Sequence, residues 1–405
     1  MVEFRPYHPE DRDAVGTIWH EVGWSDRSDE SKVEALDALI SAGGIEVAEV
    51  NGAAECFVQQ VPGDITHTGT NLSMSAVTAV LTSHIGRKMG LATTLSARAI
   101  AAGARQGAAV SLLGVFETGF YDRLGFASGS YEHELTFDPA TLALENVEYK
   151  RPERLTLDNA DEMHAAMLGR NRPHGSSTLT PLSLVTAELG WMSGMWALGY
   201  RTDGRLTHFM AGTAESDRSY RPYFVAYETL PQLLDLLRLV KELGDQLQWF
   251  TIVEPPEIQL QDLIRGPMRQ IRHAKGTSVR AHRAKAHWQL RINDLDAVVG
   301  AIDWPGEPVR FNLDVSDPIA NFGVGWEGVS GNYTVTIGSP SGIEVGATSG
   351  LPTLTSQVGP LSRILFGVQH PSTLAAIGDL SGPAELLAGL DRALQMPVPH
   401  PGWDF

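Results

Sequence analysis

The chain has 405 residues, more than one hydrophobic core normally serves, and we therefore expect two or three domains. Its 43% hydrophobic and 20% charged residues are typical of folded globular proteins and exclude a disordered class. The formal net charge of −17 disfavours nucleic acid as a partner and favours cationic small molecules or basic partners.

Three further features indicate the compartment. No apolar run approaches the roughly 18 residues needed to cross a bilayer, so we expect no membrane partner. The charged N-terminus lacks the apolar core of a secretion signal. Cys56 is the only cysteine, which rules out an intrachain disulfide and fits a reducing compartment. We expect a cytoplasmic protein.

The first 150 residues alternate strand and helix patterns. Asn51-Gly52 between two apolar runs is a strong hairpin signal. The predicted elements are, in chain order, a strand at Val2 to Arg5, a helix opening at Pro9, hairpin strands at Ile45 to Val50 and Ala53 to Gln60, a strand at Ala76 to Leu81, a helix at Leu91 to Ala104, and strands at Ala109 to Val115 and Tyr131 to Phe137. Together they predict a mixed sheet with helices.

The pattern restarts at Arg151 and again near Trp288. In the second region Asp158 or Asn159 can cap a helix, and an amphipathic helix runs from Thr229 to Gly244. The third region has predicted strands at Val309 to Val315, Tyr333 to Ile337 and Gly342 to Ala347, then a helix at Pro383 to Leu394 and an extended tail at Gln395 to Phe405. We expect domains at 1–150, 151–287 and 288–405.

One stretch, 265–291, runs against the acidic balance of the chain. Its charged residues are all basic: Arg265, Arg269, Arg272, Lys275, Arg280, Arg283, Lys285 and Arg291. Most charge runs are solvated faces, and we expect this one to meet acidic surface on a neighbouring domain or subunit. It contains no recognisable docking element for nucleic acid.

The segment with the clearest chemical signal follows the strand that ends near Thr82. After a short loop, Arg87-Lys88-Met89-Gly90-Leu91-Ala92 leads directly into a helix. Free backbone amides and the dipole at a helix start can together cradle a pyrophosphate. Gly90 lets phosphate oxygens approach the backbone, and Arg87 and Lys88 add positive charge. Alone, this pattern also fits an ordinary helix start.

A second motif, Phe120-Tyr121-Asp122-Arg123-Leu124-Gly125-Phe126, follows the next predicted strand. In this order the two motifs resemble those of GNAT-fold (Gcn5-related) N-acetyltransferases. The resemblance implies that a strand splayed from the cofactor strand exposes backbone groups to the pantetheine arm of acetyl-CoA. It also implies that Tyr121 reaches the thioester sulfur.

The layout of the whole chain resembles the Eis (enhanced intracellular survival) family. Besides the two motifs, the features are Trp288-Gln289-Leu290-Arg291-Ile292-Asn293-Asp294 and the final Asp404-Phe405. The resemblance implies an α/β (α+β) fold: a catalytic GNAT domain at 1–150, a degenerate GNAT-like domain at 151–287 and a sterol-carrier-protein-like domain at 288–405. It further implies a homo-hexamer. The second domain lacks the Arg-x-x-Gly-x-Ala pattern, and we expect it to wall the substrate cleft.

The resemblance also assigns roles to residues. Tyr121 corresponds to the general acid, and the terminal carboxylate of Phe405 to the base. Contacts to acetyl-CoA fall on Val80, Leu81, Thr82, Arg87, Lys88, Met89, Gly90, Leu91, Ala92, Thr93, Phe116 and Glu117. Two positions depart from the family pattern. Met89 stands where a third basic residue is common, and Phe116 where a small serine is usual, which bears on the shape of the pantetheine channel.

Reference pKa values refine these roles. A carboxylate of pKa about 3.5 is a poor base for an ammonium of about 10.4, so we expect the Phe405 carboxylate mainly to hold and orient the amine. A thiol of pKa about 8.5 is more acidic than tyrosine at about 10, so proton donation by Tyr121 requires close positioning. The resemblance implies that the loop after the first helix lines the amine pocket, so Trp24 and Asp26 are candidates for amine binding, as is Asp404. A solvated acidic loop is the alternative for the first two.

Other chemistries find less support. His273, His282 and His287 lack metal-ligand spacing, and we expect no metal. Cys56 lies mid-strand and no serine elbow occurs, so direct attack by the amine is the simplest scheme.

The sequence thus favours acetyl transfer from acetyl-CoA, through a tetrahedral intermediate, to an aminoglycoside-, polyamine- or lysine-like primary amine. One alternative is a lipid or hydrophobe carrier on a GNAT scaffold. Another is a longer acyl-CoA as donor, which the bulk of Phe116 disfavours.

Overall fold

The computed structural model describes residues 1–24, 30–115, 117, 119–216, 218–266 and 281–403. Asp26, Phe116, Asp404 and Phe405 lie outside these residues. The chain forms two compact units. The first comprises Met1–Ser130, Pro173–Pro181 and Ala286–Phe405, and the second comprises Tyr131–Arg172 and Leu182–Lys285.

The described strands and helices are numbered along the chain. The strands are β1 (Val2–Pro6), β2 (Gly44–Val50), β3 (Ala53–His67), β4 (Thr70–Thr82), β5 (Val110–Gly114), β6 (Ala127–Ser128), β7 (Glu132–Phe137), β8 (Glu153–Arg154), β9 (Ser177–Leu179), β10 (Trp196–Thr202), β11 (Arg205–Ser216), β12 (Ser219–Ala226), β13 (Trp249–Val253), β14 (Ala281–Lys285), β15 (Trp288–Ile292), β16 (Val309–Ser316), β17 (Gly331–Ile337), β18 (Gly342–Val345), β19 (Thr353–Gln357) and β20 (Leu380–Ser381). The α-helices are α1 (Arg12–Glu21), α2 (Glu30–Ile40), α3 (Leu91–Arg105), α4 (Ala160–Gly169), α5 (Leu182–Trp191), α6 (Leu230–Glu242), α7 (Leu295–Gly300), α8 (Val358–Leu365), α9 (Pro371–Ala376) and α10 (Ala384–Ala393).

The larger sheet of the first unit has the strand order β1-β2-β3-β4-β5-β15-β6, with β9 added beside β3. The β2–β3 hairpin turns at Asn51 and Gly52, which both have positive φ, as the sequence predicted. The alanine-rich α3 packs closely on this sheet: a side chain at Gly103 would come within 2.6 Å of the Ser75 hydroxyl oxygen. Small residues on α3 therefore set how near it lies to β4.

Strand β15 is an unexpected member of this sheet. Residues 288–292, predicted to open the third region, pair antiparallel with both β5 and β6. Every residue of β15 is buried, and a side chain at Gly129 would overlap the Trp288 ring. The returning chain therefore completes the sheet that the N-terminal residues begin.

The burial of β15 corrects one prediction about the basic stretch. Arg283 and Lys285 are exposed and lie 3.9 Å from Glu134, as a solvated face would. Arg291, in contrast, is fully buried in β15, so the prediction is wrong there. A strand that is covered on both faces buries the side chains on each face. A charged side chain is tolerated there when it has an oppositely charged partner. Arg269, Arg272, Lys275 and Arg280 lie outside the described residues.

The first unit also contains a five-stranded sheet, β18-β17-β16-β19-β20. Its strands agree with the predicted ones near Val309, Tyr333 and Gly342, and α10 agrees with the predicted C-terminal helix. The second unit has a separate seven-stranded sheet, β14-β7-β13-β12-β11-β10-β8, with the amphipathic α6 packed in its core. The predicted α/β class is thus confirmed. None of the described helices combines the length and apolarity that crossing a membrane demands.

Two buried histidines join the β3–β4 turn to the end of α8. His67 Nε2 lies 2.8 Å from the Leu365 carbonyl oxygen, and His174 Nε2 lies 3.0 Å from that of Phe366. Burial lowers the pKa of His67 to about 4 and lowers the pKa of His174 as well. Both rings are therefore neutral at physiological pH.

This geometry predicts that acid destabilises the first unit. Between pH 6.5 and about 4, His67 is protonated in the unfolded chain and neutral in the folded chain. The free energy of unfolding therefore falls as pH falls through this range. Between pH 7 and pH 5, the free energy of unfolding should fall by about 2 kcal/mol less in the His67→Gln variant than in the wild-type protein. Denaturant titrations at the two pH values measure this difference. An equal loss in both proteins would show that His67 does not titrate this way.

Candidate active site

The candidate site begins where two parallel strands part. β4 and β5 pair only as far as Ala76 and Leu112, whereas the antiparallel ladder of β4 with β3 continues to Thr82. That ladder contains a bulge at Ala79, whose φ is 48°. Among the described residues, the end of β4 therefore has no strand neighbour on its β5 side. Val80 and Thr82 are half-buried there.

The loop after β4 is braced from behind by two glutamates. The Ser83 hydroxyl donates to the Glu55 carboxylate and accepts from the Gly86 N–H at 2.9 Å. Glu21, at the end of α1, accepts from the His84 N–H at 2.9 Å. This bracing was not predicted from the sequence. The sequence offers no specific signal for it, because α1 and β3 each contain a second acid, Asp13 and Asp64.

The start of α3 is open and electrostatically positive. Lys88 and Gly90 have φ of 65° and 77°, and the buried Leu91 anchors the first turn. No side chain in the described part of the chain caps this helix, and its first turn contains no acid. Among the described residues, a side chain at Gly90 would meet no atom within 4 Å. With Arg87 exposed beside it, such a helix start suits a phosphate group.

Tyr121 lies after the end of β5, in a tight turn. Its side chain is 6% exposed, and burial raises the pKa of its phenol to about 12. Phe120 packs edge-on against it, with ring centroids 4.8 Å apart. In the described part of the chain the phenol hydroxyl has no hydrogen-bond partner. A protonated phenol is therefore available as a donor at neutral pH.

One hydrophobic cluster brings the two sequence motifs together. It contains Leu91 and Leu95 from α3 as well as Tyr121, Leu124 and Phe126 from the turn. The structure thus places the open helix start and Tyr121 on a common core. Of the other predicted contacts, Met89 is exposed, Ala92 and Thr93 are half-buried, Leu81 is buried and Glu117 is exposed, while Phe116 lies outside the described residues.

The residues predicted to bind the amine are only partly described. Trp24 is 46% exposed and packs edge-on against the buried Trp19. Asp26, Asp404 and Phe405 lie outside the described residues.

The C-terminal tail is held firmly as far as the buried Trp403. The Pro399 carbonyl accepts from the Ser130 hydroxyl. The His400 N–H donates to the His174 carbonyl at 3.0 Å, and the Pro401 carbonyl accepts from the Ser177 N–H at 2.9 Å.

Cys56 is unsuited to nucleophilic catalysis. Its thiol is buried and lies 3.2 Å from the Thr82 hydroxyl. Burial raises the pKa of this thiol to about 11, so it stays protonated at neutral pH. Among residues the structure describes, no three His, Cys, Asp or Glu side chains gather in a way that could hold a metal ion.

The second unit has a similar strand arrangement with a different helix start. Its parallel strands β12 and β13 pair only near Ser219 and Tyr220 before they separate. The helix that follows, α6, has a capping box between Thr229 and Gln232, and Glu228 beside it binds Arg205. A capped helix start next to a carboxylate is poorly suited to a phosphate.

Comparison with known proteins agrees with this geometry. Residues 3–129 match the acetyltransferase (GNAT) domain, and residues 295–401 match the sterol carrier protein domain. No curated protein matches the sequence.

Several solved structures share the fold over the full chain. A probable N-acyltransferase of Enterococcus faecalis is 15% identical, with a TM-score of 0.79 and 100% of both chains covered. A GCN5-related N-acetyltransferase of Kribbella flavida is 16% identical, with a TM-score of 0.76 over 100% of this chain and 98% of that one. Eis1 of Mycobacterium abscessus is 16% identical, with a TM-score of 0.74 and 100% of both covered.

The two ends of α3 allow a matched test of the phosphate site. Gly90 and Gly107 both have positive φ, and no described residue occupies the space where a side chain would stand at either position. Gly90→Val and Gly107→Val should cost similar stability, about 1–2 kcal/mol each. Only Gly90→Val should also weaken coenzyme A binding, by about tenfold or more, because its side chain blocks approach to the helix start. Calorimetry measures the affinity. Equal affinities in the two variants would place the phosphates elsewhere.

Proposed function

We propose that this chain, which joins a GNAT acetyltransferase domain to a sterol carrier protein domain, moves the acetyl group of acetyl-CoA to a primary amine on a cationic acceptor. Acetyl transfer is the chemistry of the GNAT domain, and the acceptor and the residue roles are the proposal. The observation that carries it is the uncapped start of α3 sharing one hydrophobic cluster with Tyr121.

The diphosphate of the coenzyme would lie over Gly90. The first amides of α3, from Leu91 to Thr93, would donate to it, and Arg87 and Lys88 would add charge. The pantetheine arm would follow Val80 to Thr82, where β4 has left β5. Acetyl-CoA supplies the acetyl group as a thioester, and its departure produces a thiolate. Phe116 and Glu117 would line the thioester end.

Tyr121 would donate a hydrogen bond to the leaving thiolate. Its pKa of about 12 keeps the phenol protonated throughout the working pH range. Because a free thiol has a pKa of about 8.5, well below that of the buried phenol, full transfer of the phenol proton to the departing thiolate is unfavourable. Its main contribution is then a hydrogen bond to the developing thiolate. The protonated Cys56 offers no competing nucleophile, which supports direct attack by the amine.

The carboxylate of Phe405 would hold the amine. The tail is anchored up to Trp403, and two further residues can span at most about 7 Å, which confines where that carboxylate can lie. A fixed anion of this kind would orient a cationic amine, and a relay would remove its proton. Asp404, Trp24 and Asp26 would extend the amine pocket. The net charge of −17 supports a cationic acceptor.

The remaining assignments rest on the resemblance and on composition. They are a catalytic domain at 1–150, a degenerate GNAT-like domain at 151–287, a sterol-carrier-like domain at 288–405, a homo-hexamer and a cytoplasmic location. The single cysteine supports the last of these.

A carrier of lipids or other hydrophobes is the second candidate, favoured by the sterol carrier protein match. A described cavity of about 450 Å³ does not support it, because Asn293, Asp294 and Asp296 line it together with apolar groups. Purified protein incubated with acetyl-CoA and a panel of polyamines, lysine peptides and aminoglycosides separates the two candidates. Thiol release with at least one amine supports the transferase. No release with any amine, together with lipid retained through purification, would favour the carrier.

Removing the Tyr121 hydroxyl tests the proposed acid. Tyr121→Phe should lower kcat by about 10²–10³-fold and leave acetyl-CoA affinity unchanged, because the phenol acts on the leaving sulfur. Tyr200→Phe is the control, since that buried hydroxyl donates to the Lys150 carbonyl in the second unit, outside the proposed machinery. A loss of acetyl-CoA affinity as large as the loss of kcat would contradict the acid role.

Extending the chain tests the proposed carboxylate. A few residues added after Phe405 should lower kcat/KM for the amine by about tenfold or more, without changing Tm, because the charge moves away from the acceptor. The same residues added before Met1 provide the control. Full activity in the C-terminally extended protein would refute the role.

A further inference from the structure

A buried ion pair lies beneath the turn that carries Tyr121. Arg291, on β15, and Asp317, in the sterol carrier region, are 2.6 Å apart, and both side chains are 0% exposed. Isolating two charges from water is costly, and the cost is offset only when the remaining donors and acceptors are also used. Here they are used extensively. The Asp317 carboxylate also accepts from the Ile319 and Val329 N–H groups, each at 3.1 Å.

Arg291 directs its other donors to backbone and amide oxygens. One guanidinium nitrogen donates to the Leu124 carbonyl at 2.5 Å, and Nε donates to the Asn293 side chain at 3.1 Å. The guanidinium carbon lies 5.1 Å from the centre of the Trp326 ring. This fork of donors fixes Arg291 rigidly, as a lysine could not.

Leu124, which Arg291 contacts, is only one helical turn away from Tyr121. A single turn of 3-10 helix, Asp122–Leu124, starts directly after Tyr121, and the Leu124 N–H donates to the Tyr121 carbonyl at 2.9 Å. A second residue of β15 assists: Gln289 Nε2 donates to the Asp122 carboxylate at 3.0 Å. β15 therefore holds this short turn at both of its ends.

Gly125 shows how closely the parts fit. Its φ is 83°, and a side chain there would come within 2.6 Å of Val358 and 3.1 Å of the Arg291 guanidinium. The turn thus rests directly on Arg291, without an intervening side chain.

We propose that Arg291 is a positioning residue for Tyr121, and that Asp317 makes the sterol carrier region part of the acetyltransferase site by holding Arg291 in place. This inference rests on the proposed function of Tyr121. It assigns the C-terminal region a catalytic purpose that needs no bound lipid. Proper placement matters because a displacement of about 1 Å at a reacting group can cost about a hundredfold in rate.

Stability and positioning can be separated by changing the charges one at a time. Arg291→Met leaves Asp317 charged and unpaired in the core, so Tm should fall, by roughly 5–10 °C. The double variant Arg291→Met/Asp317→Asn has no buried charge, and its single amide oxygen keeps an acceptor for one of the two N–H groups, of Ile319 and Val329, that Asp317 binds. Its Tm should therefore recover part of that loss. Its kcat should remain about tenfold or more below wild type, because Leu124 still lacks its donor.

Three companion measurements sharpen the test. The KM for acetyl-CoA should be unchanged in the double variant, since Arg291 does not touch the Gly90 helix start. Gln289→Leu, a milder change, should lower kcat severalfold with little effect on Tm. Arg5→Met, which breaks partly buried contacts with Asp11 and Glu49 at the far edge of the same sheet, should lower Tm and leave kcat unchanged.

Hydrogen exchange gives a readout that needs no activity. Amides of residues 121–126 should exchange faster in the double variant than in wild type, and those of α3 should not change. If kcat recovers together with Tm in the double variant, or if exchange in this turn is unaltered, the positioning role is refuted. A wild-type protein without acetyl transfer would refute the proposed function, and the exchange data would still decide whether Arg291 holds the turn.

Discussion

The parting of β4 from β5 after Ala76 is the constraint on which the rest of the structure depends. A parallel pair that stayed together would leave no exposed backbone for an extended ligand to meet. Because β3 accompanies β4 to its end, the strand keeps its shape without β5, and the bulge at Ala79 redirects its last residues. On its other side, β5 is stabilised by β15, which pairs with β5 along its whole length.

The charge around the start of α3 is opposite in sign to the net charge of the chain. The chain carries a net −17, yet the first turn of α3 has no acid and its loop exposes Arg87 and Lys88. The glutamates nearby, Glu21 and Glu55, brace the loop through His84 and Ser83. The contrast with α6 is informative, because there a capping box engages backbone donors and the Glu228 carboxylate adds negative charge beside them. Two similar strand–helix connections therefore differ in what they can bind.

Local patterns predicted much of this fold. The hairpin at Asn51-Gly52, the helix from Leu91 and the amphipathic helix after Thr229 follow from turn chemistry and periodicity, which act over a few residues. The acetyltransferase and sterol carrier assignments followed from motifs and layout and are confirmed. Long-range pairing was not predictable: nothing in Trp288–Ile292 reveals that it joins β5, far away in sequence, or that Arg291 is buried against Asp317. Its basic neighbours instead indicated an exposed face.

The central claim is that a coenzyme A thioester binds along the free end of β4 and over the start of α3. Hydrogen exchange with and without acetyl-CoA tests this most directly, since bound ligand should protect the amides that donate to it. We expect slower exchange at residues 80–82 and 91–93, with little change in the second unit. Protection confined to other segments, or none at saturating acetyl-CoA, would contradict it.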